Sequence, residues 1–213
     1  MEIPVLKTRK PRIELCSLGE ASRKKLTPPF PGISARNLVK IIAMMRNMNP
    51  KITRIRSGGQ SGVDRAALDF ARKHNMEICG WCPKGGWAED YPEAPGVLTV
   101  YPELQETPEV EPWQRTLWNM RDADAVLTIV PEGSGASGGT ELGVQEGIRL
   151  GKPMFTARSA EDVPEIVAWL RSLAADRAEG FELCVGGPRA SECAEAYRVT
   201  VEILEKVFEN LEG

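Results

Sequence analysis

The chain has 213 residues, of which 42% are hydrophobic and 27% charged, the ordinary mixture of a globular protein. That length suits one domain of roughly 150 residues with an extension, and it buries a core without disulfide staples. Lys and Arg number 27 against 30 Asp and Glu, a net charge of −3, which argues against coating nucleic acid by bulk charge.

Residues 1 to about 33 are rich in Lys, Arg and Pro and close on Pro28-Pro29-Phe30-Pro31-Gly32, which reads as an extended tail. Ser34 is placed to cap a helix from Ala35 to Met48, with Leu38, Ile41, Ile42 and Met45 on one face. Asn49-Pro50 stops it, so residues 1–50 form an N-terminal extension and residues 51–213 the main domain. From Ile52 strands and helices alternate. Strands are predicted at Ile52–Ser57, Met76–Cys79, Val97–Tyr101, Ala125–Val130, Pro153–Ala157 and Phe181–Val185. Helices are predicted at Val63–His74, Pro112–Arg121, Thr140–Leu150, Glu161–Ala174 and Ala190–Leu211. Strands apolar on both faces and alternating with helices predict a Rossmann-like α/β fold, a mostly parallel sheet with helices on both faces.

Cys16, Cys79, Cys82, Cys184 and Cys193 are an odd count at irregular spacing, unlike a secreted disulfide framework. No apolar run approaches the roughly 18 residues of a membrane span. No apolar segment follows Lys7, Arg9 and Lys10 as a signal peptide requires. A cytoplasmic protein without a membrane partner is expected.

Two glycine loops carry the candidate chemistry. Ser57-Gly58-Gly59-Gln60-Ser61-Gly62-Val63-Asp64-Arg65 follows a predicted strand and opens a helix. Its glycines allow close backbone approach, and the free amides of the helix start favour an anion. It is neither a dinucleotide fingerprint nor a Walker A loop, and a plain strand-to-helix turn explains it as well. The second loop, Glu132 to Glu141, follows the strongest strand and holds four glycines and two serines. Loops after two strands of one parallel sheet meet at the same edge, where such sheets bind ligands.

Between them, Cys79-x-x-Cys82 runs into Pro83-Lys84-Gly85-Gly86, which does not continue a helix as a thioredoxin motif does. A zinc site needs two further ligands, for which Cys184 and Cys193 are available although His74 is the only histidine; ordinary thiols remain the expectation, with no metal. Lys84 beside Trp81 and Trp87 suits a planar anion as well as core packing. Arg115 and Asn119 lie one turn apart on a predicted helix. Arg115 is an anion clamp or a partner for Asp122. Arg189, after Gly187-Pro188, is a further anion candidate or part of the last helix's cap region.

The first loop, together with Gly80-Trp81-Cys82-Pro83-Lys84-Gly85, Ala88-Glu89-Asp90, Arg115-Thr116-x-x-Asn119, Gly138-Gly139-Thr140, Gly151-Lys152-Pro153 and Gly187-Pro188-Arg189, resembles the putative molybdenum carrier family. The likeness spans about residues 52 to 211. It implies membership of a Rossmann-like superfamily that also holds the lonely-guy nucleotide phosphoribohydrolases and DNA-processing recombination mediators. It further implies a homo-oligomer with a pocket at the glycine loops for molybdenum cofactor, a pterin carrying a phosphate. The phosphoribohydrolases pair an upstream arginine with Pro-Gly-Gly-x-Gly-Thr-x-x-Glu. Here Gly143 stands where that glutamate belongs, and Glu141 and Glu146 are out of register.

The expected function is therefore binding of a phosphate-bearing, flat-ringed small molecule, molybdenum cofactor or a nucleotide derivative. Amides of Gly58, Gly59, Gln60, Ser61 and Gly62 and of Ser137, Gly138, Gly139 and Thr140 hold the phosphate, and Arg115 and Lys84 add charge. Gln60, Asp64 and Asn119 read ring or sugar groups. A side chain at Gly59 is expected to fill the phosphate space. The alternative is a phosphoribohydrolase-type N-glycosidase with Arg115 as clamp and Glu141 as acid. Nucleic-acid binding, by analogy with the recombination mediators, is disfavoured by the charge.

Overall fold

The computed structural model describes residues 49–212 apart from 136, 175, 176 and 178. The expected tail and the helix from Ala35 to Met48 lie outside the described residues. Five parallel strands form the main sheet: β1 (Ile52–Arg56), β2 (Glu77–Cys79), β5 (Ala125–Ile129), β6 (Met154–Ala157) and β7 (Phe181–Gly186), in the order β2-β1-β7-β5-β6. A two-stranded parallel ribbon of β3 (Trp81–Cys82) and β4 (Gln105–Glu106) lies outside it. The Rossmann-like α/β architecture is the one the alternating pattern predicts.

The last strand sits in the middle of the sheet, between β1 and β5. Moving β7 and the helix after it to the front of the chain would give the order 3-2-1-4-5. In a sheet of that order the chain reverses direction between the first and fourth strands, here β7 and β5. The crevice outside the carboxyl ends of these two strands is where such folds place a ligand.

The two sheet faces are built from alternate residues of each strand. Ile55, Leu183, Val185, Leu127 and Ile129 point to one face. They pack on Val63, Ala67 and Phe70 of α1 (Val63–Lys73), Ile166 and Leu170 of α4 (Val163–Ala174), and Ile203 and Leu204 of α5 (Ala196–Glu212). These side chains recur at helical spacing, and each of the larger ones contributes about 1.5–3 kcal/mol by leaving water. On the other face, Val126 and Cys184 meet Met120 of α2 (Pro112–Asp122) and Ala123 in a much smaller cluster. Beside it α3 (Gly138–Arg149) packs through glycines: a Cβ on Gly143 would touch Thr116 and Met120, and one on Gly147 would collide with Met154. With so little apolar bulk between them, α3 and the sheet leave a hollow at their upper end.

Two expectations are corrected, and one pair of strands went unpredicted. Val97–Tyr101 is no strand: Gly96–Thr99 is a turn of 3₁₀ helix, and Val97, Tyr101 and Leu104 fill a separate cluster with Leu68, Cys82 and Ala88. Its apolar residues serve packing from several sides, so period alone misread them. The last helix begins at Ala196 rather than Ala190, because the amides of Glu192 and Cys193 turn back to the Arg189 carbonyl. The short strands β3 and β4 are too brief for periodicity to show them.

Candidate functional site

The hollow is a cavity of about 460 Å³ at the carboxyl ends of β5 and β7. Its floor is sheet: Val126 and Thr128 of β5, Cys184 and Val185 of β7. Arg115, Thr116, Asn119 and Met120 of α2 form one wall, and Ser137 to Thr140 with Leu142 and Val144 of α3 another. Gly58, Gln60, Asp64, Gly187 and Arg189 close the third side, and Trp87, Glu111 and Trp113 also line it. Both glycine loops therefore border one hollow at one sheet edge.

At Ser61 and Val63, amides of the first loop are engaged within the chain rather than in that hollow. Asp64, 4% exposed, lies against it, and the nearby backbone amides of Gln60 and Gly58 favour its charged form. The Ser61 amide donates to Gln60 Oε1, and the Val63 amide to the Pro188 carbonyl. Arg115 Nη1 donates to Asp64 Oδ2 at 2.9 Å. Burial pushes the Asp64 carboxyl above the usual range, opposed by Arg115 and those amides, which favour its charged form. The concave nest that sequence assigns to a foreign phosphate thus holds the chain's own carboxylate.

Gly58 is required for this arrangement, since a Cβ there would run into the Arg115 guanidinium and come within 2.8 Å of Asp64 Oδ2. Gly59 has another task. Its φ is +74°, and a Cβ would meet Leu104 and Val97 in the neighbouring cluster, not the cavity. The expectation that a side chain at Gly59 fills the ligand space is therefore corrected. Gly62, at φ +75°, lies against the Pro188–Arg189 backbone.

The second loop behaves differently. Ser137 caps α3, its Oγ accepting from the Thr140 amide at 3.3 Å, while the Glu141 amide returns to the Ser137 carbonyl. The Gly138 and Gly139 amides have no partner among the described residues. They are the orphan donors of a helix start, at the positive end of its dipole. Nothing lies within 4 Å of a Cβ built on Gly138.

Of the remaining expected residues, several serve the frame. Asn119, 2% exposed, clamps β3: its Oδ1 accepts from the Trp81 amide and its Nδ2 donates to the Trp81 carbonyl, both at 2.9 Å. Gln60 Oε1 also accepts from the Glu89 amide, tying two loops. Ser61 Oγ donates to Glu89 and accepts from the Ala190 amide. Lys84 and Glu141 are exposed and, like Gly59, Ser61 and Gly62, are not on the cavity wall. Trp81 stands edge-on to Trp118 and donates to Asp122, so only Trp87 of the expected tryptophan pair lines the cavity.

Sequence reasoning passed over Thr128, Trp113 and Glu111. Thr128 is 4% exposed, lines the cavity, and its hydroxyl has no partner among the described residues. Trp113 lines the cavity yet stays half exposed. A polar residue inside the apolar run Ala125–Ile129 is the one sequence signal that marked Thr128.

Cys79 and Cys82 diverge: Cys79 Sγ faces Glu182 and Cys82 Sγ faces the Gln105 carbonyl. Burial pushes both thiols up to about 11, and Cys184 up to about 12. No group of three or more His, Cys, Asp or Glu side chains suited to a metal ion occurs among the described residues. No described helix is long and apolar enough to cross a membrane.

No curated protein matches the chain. Among solved structures, the crystal structure of a putative molybdenum carrier protein from Syntrophus aciditrophicus SB is similar, with 34% identity and a TM-score of 0.65. The likeness covers 76% of this chain and 98% of that one. Residues 55–208 match the model of the circularly permutated YpsA SLOG family, as a sheet with its last strand at the centre leads one to expect. The chain belongs to that family of molybdenum carrier-like proteins.

Proposed function

We propose that the chain binds a phosphate-bearing, flat-ringed small molecule, molybdopterin or a nucleotide derivative, in the cavity between α3 and the sheet. One observation carries this reading: donors without partners, the Gly138 and Gly139 amides and the Thr128 hydroxyl, border the same apolar-walled hollow as Arg115. The phosphate sits at the start of α3, where amides and helix dipole favour an anion, and Arg115 reaches it with the donors that Asp64 leaves free. Met120, Val126 and Val144 offer the ring an apolar wall, with Trp113 and Trp87 beside it. The similar Syntrophus aciditrophicus protein supports molybdopterin as one such cargo by its description as a molybdenum carrier. A reducing cytoplasm suits the four described cysteines, all free thiols.

The hydrolase alternative loses its acid, because Glu141 is exposed and off the cavity wall. Native mass spectrometry with adenosine monophosphate and with adenosine tests the proposal. A one-to-one adduct with the monophosphate is expected. Arg115→Lys, which keeps the charge beside Asp64 but removes the guanidinium fork, should weaken the monophosphate adduct by about tenfold and the adenosine adduct far less. Equal losses for both, or release of free adenine on incubation, contradict a phosphate-holding carrier.

A further inference from the structure

We infer that Asp64 is a resident anion that limits the negative charge the cavity accepts, so that the site takes a monoester and rejects di- and triphosphates. The inference rests on the reading of the cavity as a phosphate-ester site and adds the charge class of its cargo.

In an open parallel sheet, the glycine loop after a strand and the helix it opens supply the most favourable anion position. Here that position is occupied from within. The Gly58 and Gln60 amides face the Asp64 carboxylate, which stands in the first turn of α1 and balances the helix dipole. Arg115 is bound to the same carboxylate at 2.9 Å. The second guanidinium of the wall, Arg189, is answered as well, with its Nε 3.1 Å from Glu192 and 3.7 Å from Glu89. Glu111 adds a further carboxylate to the lining. Asp64, Glu111 and Glu192 against Arg115 and Arg189 leave the wall with one net negative charge. One phosphate finds the amides of Gly138 and Gly139 and the free edge of Arg115. A second or third phosphate finds only Arg189, whose charge is already offset by Glu192 and Glu89, and is repelled by the carboxylates. At separations of 5–10 Å and an intermediate dielectric, this costs about threefold or more in affinity for each phosphate added.

The test is calorimetric titration of the full chain with adenosine mono-, di- and triphosphate, without added divalent cation. Affinity should fall about threefold or more at each step. In Asp64→Asn, which keeps the side chain's shape, that fall should vanish or reverse. Glu111→Gln, an exposed position, should flatten it partly and serves if Asp64→Asn does not fold. Affinity that stays level or rises from mono- to triphosphate in the unaltered chain overturns the inference, as does an unchanged slope in both variants. Binding by none of the three overturns the reading of the cavity itself, and the inference with it.

Discussion

Gly58 shows how one missing side chain positions a charged one. Its φ lies in the ordinary range, so alanine strains nothing in the backbone, but the added Cβ takes the space of the Arg115 guanidinium. Moving that guanidinium loosens its bond to the buried Asp64 carboxylate. Gly58→Ala should therefore cost about 1–3 kcal/mol of unfolding free energy, because the guanidinium must give way beside the buried Asp64 carboxylate, while weakening monophosphate binding about tenfold. Chemical denaturation and calorimetry on one sample check both, and unaltered affinity would detach Arg115 from the site. At this scale the sequence was half legible. The glycine spacing marked the loop, and Arg115 and Asp64 were both singled out. That the loop's amides close on Asp64 was not readable, because a nest looks alike in sequence whether its anion comes from the chain or from outside.

Elements settle the fate of the Cys-x-x-Cys pair. Cys79 ends β2 and Cys82 ends β3, and the turn at Gly80 sends their thiols to different partners. Burial raises both to about 11. The thiolate is the reactive form, so at pH 8 only on the order of 0.1% of each is reactive, rising about tenfold per pH unit toward 11. Peptide mapping after brief iodoacetamide treatment should find both unmodified at pH 8 and labelled increasingly above pH 10. Rapid labelling at pH 8 would reopen a redox role. The Ser137 cap, which starts α3 at Gly138 instead of the expected Thr140, went unread. Strands and helices of the main sheet were otherwise legible because they carry a clear period, with stop signals such as Asn75, at φ 55°, after α1. The segment from Trp81 to Leu104 was not, since its residues pack by long-range contact and not by period.

For the whole molecule, the order of strands is the feature that sequence hid. Local pattern tells that β7 is apolar on both faces, but not that it enters the sheet between β1 and β5. Its insertion brings the Pro188–Ser191 loop onto the first glycine loop, and Glu89 fastens the join. Glu89 accepts from Ser61 and from Ser191, through both the amide and the hydroxyl of the latter. Burial pushes its carboxyl up, yet the hydrogen bonds of Ser191 and Ser61 and the nearby Arg189 hold it below its ordinary 4.5. Between the folded and unfolded values the unfolded chain binds more protons. The stability Glu89 contributes is thus present above about pH 4.5 and lost as pH falls through the folded value. Glu89→Gln should cost about 1 kcal/mol at pH 7. That difference from the unaltered chain should shrink steadily below pH 4.5 in urea titrations. A difference independent of pH would show that the join does not depend on the carboxylate.

The most direct examination of the central claim is titration of the isotope-labelled chain with adenosine monophosphate, following backbone amide and tryptophan indole resonances. The amides of Gly138, Gly139 and Thr140 and the indole of Trp113 should move together and saturate at one equivalent, while the Ser61 and Val63 amides, already bonded within the chain, move least. Saturable shifts confined to any other part of the molecule, or none at all, would contradict a ligand site between β5, β7 and the start of α3.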